Sequence, residues 1–304
     1  MKKLILVAFS LLLTFSLVFS ETPLSYNDLP YPSPLKTFKY QNHKIIYLDA
    51  GSGEPLVFIH GLTATLESYR FQIPQFKKTN RVIVMDLPGC GRSDKPNIDY
   101  TIDYLTDSVA ALLKHLKINS AVITGHSNGG HVAVNMAVKY PDMVKKLVLL
   151  GPGGMIKLTQ AQVEAIIPTI DLWLNANISA TNNRLKNLVY KWNSHWERAA
   201  KIMKRIAMHP DYKLVLRAAK SNIISALYKQ TTLPNSFKNI RVPVLIILGK
   251  HDTLLPGPAM SLNEFTGYLK TLFMQPKIQL MECGHMLQME VPHEINKILT
   301  KFFL

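Results

Sequence analysis

The stretch AVITGHSNGGHVAVNMAVKY, residues 121–140, reads as a strand, a sharp turn and a helix. AVIT is a short apolar run closed by Gly125, the pattern of a buried strand. GGHVAVNMAVKY sets apolar residues at helical spacing and stops before Pro141. Between them lies Gly125-His126-Ser127-Asn128-Gly129, a Gly-x-Ser-x-Gly pentapeptide. A strand-to-helix turn this tight strains the backbone at Ser127 and leaves no room for a Cβ at Gly125 or Gly129. It lifts the Ser127 hydroxyl above the sheet edge, at a helix N-terminus whose free amides and dipole favour negative charge. Ser127 is therefore expected to be a nucleophile, the competing reading being a serine that caps the helix. His126 adjoins it, but consecutive side chains point apart, so His126 is expected to pack below the turn.

Working outward, short runs rich in Val, Ile and Leu alternate with helical periods. FKYQN and HKIIYLDAG suggest a hairpin; PLVFIHG, VIVMDLPG, AVITGHS, KLVLLGPG, VPVLIILGKHD and IQLMECGH follow as strands bounded by Gly or Pro. Strands apolar on both faces belong to a parallel sheet covered on both sides. YTIDYLTDSVAALLKHLK and HEINKILTKFF are among the helices. The expected fold class is α/β, with a mostly parallel central sheet of about eight strands flanked by helices.

Residues 152–238 break this rhythm. They hold no clear buried strand and read as helices: TQAQVEAIIPTIDLWLN, NNRLKNLVYKWNSHWERAAKIMKRIA and DYKLVLRAAKSNIISALYK. All three tryptophans, Trp173, Trp192 and Trp196, fall here. The organisation expected is a Pro-rich lead-in over 21–36, a core made of 37–151 and 239–304, and a helical cap over 152–238.

At this point the chain resembles the α/β-hydrolase superfamily, in its capped branch of esterases, lipases and C–C hydrolases. The resemblance covers nearly everything from residue 38 to the end. Its motifs stand in the family's order: His60-Gly61, then Asp86-Leu87-Pro88-Gly89-Cys90-Gly91-Arg92-Ser93-Asp94, the Ser127 turn, Asp252 and His285. Of the strand ends after Ser127, LVLLGPGG carries no carboxylate, whereas LIILGKHDTLLP carries Asp252. Asp252 is the expected orienting acid, as the resemblance also implies, and His285, after the last strand, is the expected general base. His251 is expected to face solvent, and Glu282 would be the first substitute were Asp252 not the acid. The oxyanion hole is expected from the backbone N–H of Asn128 and, as in relatives with His-Gly at this point, of Leu62, with Thr63 as the neighbouring alternative. His60 and Gly61 would shape that loop, and the turn from Asp86 to Asp94 would carry no chemistry.

Serine at the turn, where dehalogenase and epoxide-hydrolase relatives use Asp and dienelactone-type relatives use Cys, points to acyl transfer. The expected function is carboxylic-ester hydrolysis of a small-molecule substrate, needing no metal and no cofactor. The alternatives are a C–C bond hydrolase, an acyltransferase, and a silent ligand-binding module.

The first 20 residues, MKKLILVAFSLLLTFSLVFS, pair a basic start with an apolar run. They read as a signal peptide cleaved after Ser20, or as an uncleaved anchor. Either implies export, to the periplasm or beyond. The formal charge is +15, of which Lys2 and Lys3 sit in the leader, leaving 15 − 2 = +13. For a basic exported chain two readings stand open, contact with anionic membrane surfaces and general solubility, and no nucleic-acid motif is present. Two cysteines, Cys90 and Cys283, make no disulfide framework and are expected to be free. No His/Cys cluster has zinc-ligand spacing.

Overall fold

A computed structural model describes residues 22–32, 34–179, 181–256 and 260–304, with every side chain except those of 176–179 and 181–184. The leader expected over 1–20 lies outside these residues. Eight strands form one sheet: β1 Leu35–Tyr40, β2 His43–Ala50, β3 Pro55–Ile59, β4 Arg81–Met85, β5 Ala121–His126, β6 Val144–Leu150, β7 Val244–Gly249 and β8 Lys277–Met281. Their order is β1-β2-β4-β3-β5-β6-β7-β8. β2 runs antiparallel to β1 and β4, and the remaining pairs are parallel. The β1–β2 hairpin closes through Gln41 and Asn42, both at positive φ, the turn whose twist matches that of the strands.

The strand interiors are apolar throughout because they feed two cores. Leu56, Phe58, Val82, Val84, Val122, Val148, Leu150, Leu245 and Ile247 point to one face. Their neighbours Val57, Ile59, Ile83, Met85, Ile123, Leu147, Leu149, Val244 and Ile246 point to the other. Helices cover both faces: α1 Ile73–Phe76, α2 Ile102–His115 and α3 Asn128–Lys139 precede an insertion between β6 and β7, and α9 Leu262–Leu272, α10 Leu287–Glu290 and α11 Pro292–Phe303 follow it. The insertion consists of α4 Gln160–Ile166, α5 Ile170–Ser179, α6 Thr181–Leu188, α7 Ser194–Ala207 and α8 Tyr212–Lys229. None of the helices among the described residues is long and apolar enough to cross a membrane.

Two helices read as continuous in the sequence are interrupted. Pro168 leaves a 3₁₀ turn, Ile167–Thr169, between α4 and α5. Residues 189–193 separate α6 from α7, and the Asn193 side chain restarts the helix by accepting the amides of His195 and Trp196. The lead-in is anchored rather than loose. The Arg92 guanidinium donates to the carbonyls of Tyr26, Asn27 and Leu29 and lies 4.3 Å from the Tyr31 ring centroid. The turn from Asp86 to Asp94 is built on the Asp86 carboxylate, which accepts the amides of Leu66 at 2.8 Å and Arg92 at 2.7 Å. A side chain at Gly91 would collide with that carboxylate. Cys90 and Cys283 are both free.

The strand order reverses at β3: β4 lies on one side of it and β5 on the other. Loops leaving neighbouring carboxyl ends at such a switch point diverge and open a crevice. Several ionisable side chains are sealed near it. Burial holds His60 at a pKa of about 4, and His126 and His131 at about 3. Burial pushes Asp86 up to about 6, against the pull of the amides it accepts. A histidine kept neutral in the folded chain takes up a proton on unfolding below its unfolded pKa of ~6.5. Its contribution is complete above that pH and is lost as the pH falls toward the folded value. Asp86 acts oppositely: between about pH 4 and 6 the folded chain holds a proton that the unfolded carboxyl releases. For these four groups taken together, unfolding near pH 5 should therefore take up about two protons, three at the histidines less one at Asp86. The expected outcome is a calorimetric Tm that falls steadily from about pH 6.5 to 4.5; a Tm unchanged down to about pH 5 contradicts it.

Candidate active site

β5 ends at His126, and the chain enters α3 within one residue. That residue, Ser127, stands at φ 53 and ψ −121. Such a backbone is rare for a side chain with a Cβ and is held only by its surroundings. Here a Cβ on Gly125 would strike the Gly129 carbonyl, and a Cβ on Gly129 would strike the carbonyls of Ile59 and His60. Strand β5, helix α3 and the end of β3 thus approach more closely than any side chain permits. The Ser127 amide donates to Leu150 O at 3.0 Å, and its carbonyl accepts from Gly130 and Gly153 at 2.8 Å each. The Ser127 side chain makes no capping hydrogen bond to α3, so the reading of Ser127 as a helix cap fails.

Asp252 lies three residues beyond β7 and His285 four beyond β8. His285 Nδ1 donates to Asp252 Oδ2 at 2.7 Å, and the two side chains are 5% and 1% exposed. The other oxygen, Oδ1, accepts the amides of Leu254 at 2.8 Å and Leu255 at 3.2 Å. The carboxylate is therefore fully engaged, and the bond fixes the tautomer that leaves the His285 Nε2 lone pair available. Gly151, just beyond β6, stands at φ 47, a backbone that favours glycine; a Cβ there would press on Leu287 Cδ1 at 3.1 Å and lie in ordinary contact with Asp252 and His285. Among the described residues no hydrogen bond joins Ser127 Oγ to His285, which is common before substrate binds.

The loop after β3 closes the other side. His60 is fully buried; its Nδ1 donates to Gly61 O at 2.8 Å and its Nε2 accepts the Leu87 amide at 3.0 Å. That tautomer ties the ends of β3 and β4 together and shapes the loop. A Cβ on Gly61 would sit 3.1 Å from Ser127 Cβ, so the loop lies directly against the serine. Thr63 takes φ 56, and the Ala64 amide donates to Gly61 O at 3.2 Å, turning the chain back after Leu62. The amides of Leu62 and Asn128 have no acceptor among the described residues.

Three neighbours make contacts that the sequence does not announce. His126 does not merely pack below the turn: its Nε2 donates to the His285 carbonyl at 2.8 Å, with the rings 5.0 Å apart. His251 is exposed, as expected, and its ring also stacks on Tyr190 at 3.5 Å and bonds Glu282 at 3.0 Å. Glu282 is turned away to Lys250 and His251, so it does not compete with Asp252 for His285.

The insertion meets this site in two places. Trp196, Leu185, Val189 and Ala200 form a small core with Trp192, Met286 and Met289, beside His285. Ile170 and Leu174 of α5 and Ala219 of α8 form another, with Leu62, Leu216 and Ile223 against it. The loop carrying the Leu62 amide is thus roofed by apolar side chains.

A family model described as the alpha/beta hydrolase fold matches residues 54–292. The chain is 27% identical over 270 residues to the 2-hydroxy-6-oxo-6-(2'-aminophenyl)hexa-2,4-dienoic acid hydrolase of Metapseudomonas resinovorans, covering 84% of this chain and 86% of that one. It is also 27% identical to the dihydrolipoyllysine-residue acetyltransferase component of the acetoin cleaving system of Pseudomonas putida, of whose length it spans 65%. Among solved structures, an N-acyl homoserine lactone degrading enzyme superposes with a TM-score of 0.73 at 26% identity, over 88% of this chain and 100% of that one. With its eight-stranded sheet, its serine at the end of β5 and a family match over most of its length, the chain belongs to the alpha/beta hydrolase fold family.

Proposed function

We propose that this hydrolase cleaves carboxylic esters through an acyl-enzyme on Ser127. One observation carries the reading: a serine held at φ 53, its hydroxyl unused as a cap, beside a buried His285–Asp252 pair closed at 2.7 Å. In this reading His285 Nε2 takes the Ser127 proton as Oγ attacks the ester carbonyl carbon. The amides of Leu62 and Asn128 receive the developing oxyanion. Collapse breaks the C–O bond, and the leaving alcohol carries off the proton from His285. Water, deprotonated by the same nitrogen, then releases the acid and restores the hydroxyl. Asp252 holds the tautomer and stabilises the imidazolium.

A structural neighbour that degrades a lactone, whose ring contains an ester, favours this reading. The second reading, hydrolysis of a C–C bond, is favoured by the dienoic acid hydrolase relative. Turnover of p-nitrophenyl esters against a 2-hydroxy-6-oxodienoate separates them. Ser127→Ala should lower ester kcat at least about a thousandfold and abolish labelling by a fluorophosphonate, with Tm nearly unchanged. Activity within about tenfold of wild type would sink the assignment. Asp252→Asn should cut kcat by orders of magnitude through loss of the tautomer; a kinetically silent Asn means Asp252 is not the orienting acid.

The proposal extends to substrate and place. Leu62, Ile170, Leu174 and Ile223 form an apolar wall beside the proposed oxyanion donors, where each buried methylene of an acyl chain gains about 0.8 kcal/mol. kcat/KM for p-nitrophenyl esters should therefore rise from acetate to medium chains, and a clear preference for acetate defeats the wall's role. Residues 157–238 carry 13 Lys and Arg against 4 Asp and Glu. On α5, Leu172 is 74% exposed and Trp173 41%. We propose that residues 1–20 direct export and that the basic insertion, with its exposed apolar residues, meets anionic lipid. Co-sedimentation should favour anionic over neutral vesicles and weaken with salt; binding indifferent to both defeats this part.

A further inference from the structure

The end of α6 and the residues that follow it touch both loops that carry the Asp252–His285 pair. Leu188 O accepts the His285 amide at 2.7 Å. Asn187 O accepts the Thr253 hydroxyl at 2.5 Å. Glu290, in α10, spans the gap: Oε1 accepts the Gly284 amide at 3.0 Å and Oε2 the Tyr190 amide at 2.7 Å. Gly284 has no room for a side chain, since a Cβ would come within 2.6 Å of Leu188 O and 2.9 Å of Tyr190 N. Beside these bonds Val189 packs in one cluster with Met286 and Met289, and the Tyr190 ring lies parallel to that of His251.

We infer that Glu290 is a positioning residue, whose carboxylate ties the His285 loop to residues 187–190 and so sets the imidazole. The inference rests on the roles proposed above for Ser127, Asp252 and His285. A carboxylate suits the place because it offers acceptors only, and both groups facing it are donors. Burial raises its pKa, and the backbone amides around it oppose that rise by favouring the charged form. Glu290 approaches His285 only through backbone. It fixes the residue before the histidine, while Leu188 fixes the histidine's own amide and His126 its carbonyl. With the backbone donor and acceptor both engaged and Nδ1 bonded to Asp252, the direction in which Nε2 is presented follows the position of the loop. Residues 187–190 are therefore a fixed part of the site, and any movement that admits substrate belongs to other parts of the insertion.

The test uses Glu290→Gln and Glu290→Asp in the full chain. Gln keeps one acceptor but turns an NH₂ toward the second amide; Asp keeps the charge with a shorter reach. Both should lower kcat by about ten- to a hundredfold, as expected for a displaced catalytic group, with KM within about twofold. In the NMR spectrum the downfield imidazole N–H resonance, assigned by its loss in Asp252→Asn, should shift or broaden in Glu290→Gln. A variant with lowered Tm but unchanged kcat and unchanged resonance overturns the inference. In wild type, the amides of Tyr190, Gly284 and His285 should exchange together and slowly, a measurement that needs no variant; fast exchange at Tyr190 overturns the tie. Fluorophosphonate labelling of wild type but not Ser127→Ala shows separately whether the underlying assignment stands, while the exchange data bear on the tie alone.

Discussion

A left-handed backbone at a residue that carries a Cβ organises this molecule. Ser127 at φ 53 is unfavourable in isolation and persists because strand, helix and neighbouring strand leave no alternative. The constraint acts through glycines. Gly125 and Gly129 allow β5, α3 and the end of β3 to meet at distances that any methyl group would forbid. The same closeness leaves Gly61 against Ser127 Cβ and Gly153 bonded to the Ser127 carbonyl. Loops from β3, β5 and β6 are thus gathered around one hydroxyl, and the Asp252–His285 pair needs only the next two strands to arrive beside them.

Much of this is legible in the sequence because its causes are local. A run such as VLIIL signals a strand buried on both faces, and the two cores explain why alternation of polarity is missing. The turn at Ser127 announces itself through its glycines, and Asp252 and His285 through their places after β7 and β8. What escaped was set by distant partners. Between residues 182 and 192 nothing local marks a helix break, since Leu-Val-Tyr-Lys has ordinary helical character. The break exists because Leu188 O and the Tyr190 amide are taken by the His285 loop and Glu290. Asn193 was the one local signal, as a good N-cap just before SHWERAA.

His126 escaped for the same reason. The rule that adjacent side chains diverge correctly removes it from the proton-accepting position beside Ser127. It does not foresee that the diverging ring would reach the carbonyl of His285, 159 residues on. Arg92 likewise reads as one more charge in a turn, yet three carbonyls of the lead-in converge on it. In each case the residue type was suited to the task, and only the fold supplied the partner.

The helical insertion has two kinds of contact with the core, and the difference bears on mechanism. Around residues 187–190 the contacts are directional hydrogen bonds, in which the carbonyls of Asn187 and Leu188 and the Glu290 carboxylate accept. Such contacts lose most of their value when stretched by an ångström. Around α5 and α8 they are apolar side chains against Leu62, and apolar packing tolerates sliding and refilling by another apolar surface. An apolar group that enters between Leu62 and α5 replaces like with like, whereas one entering beside His285 would strand polar groups without partners. The two contacts therefore differ in kind: a directional tie at the His285 loop, and apolar packing against Leu62.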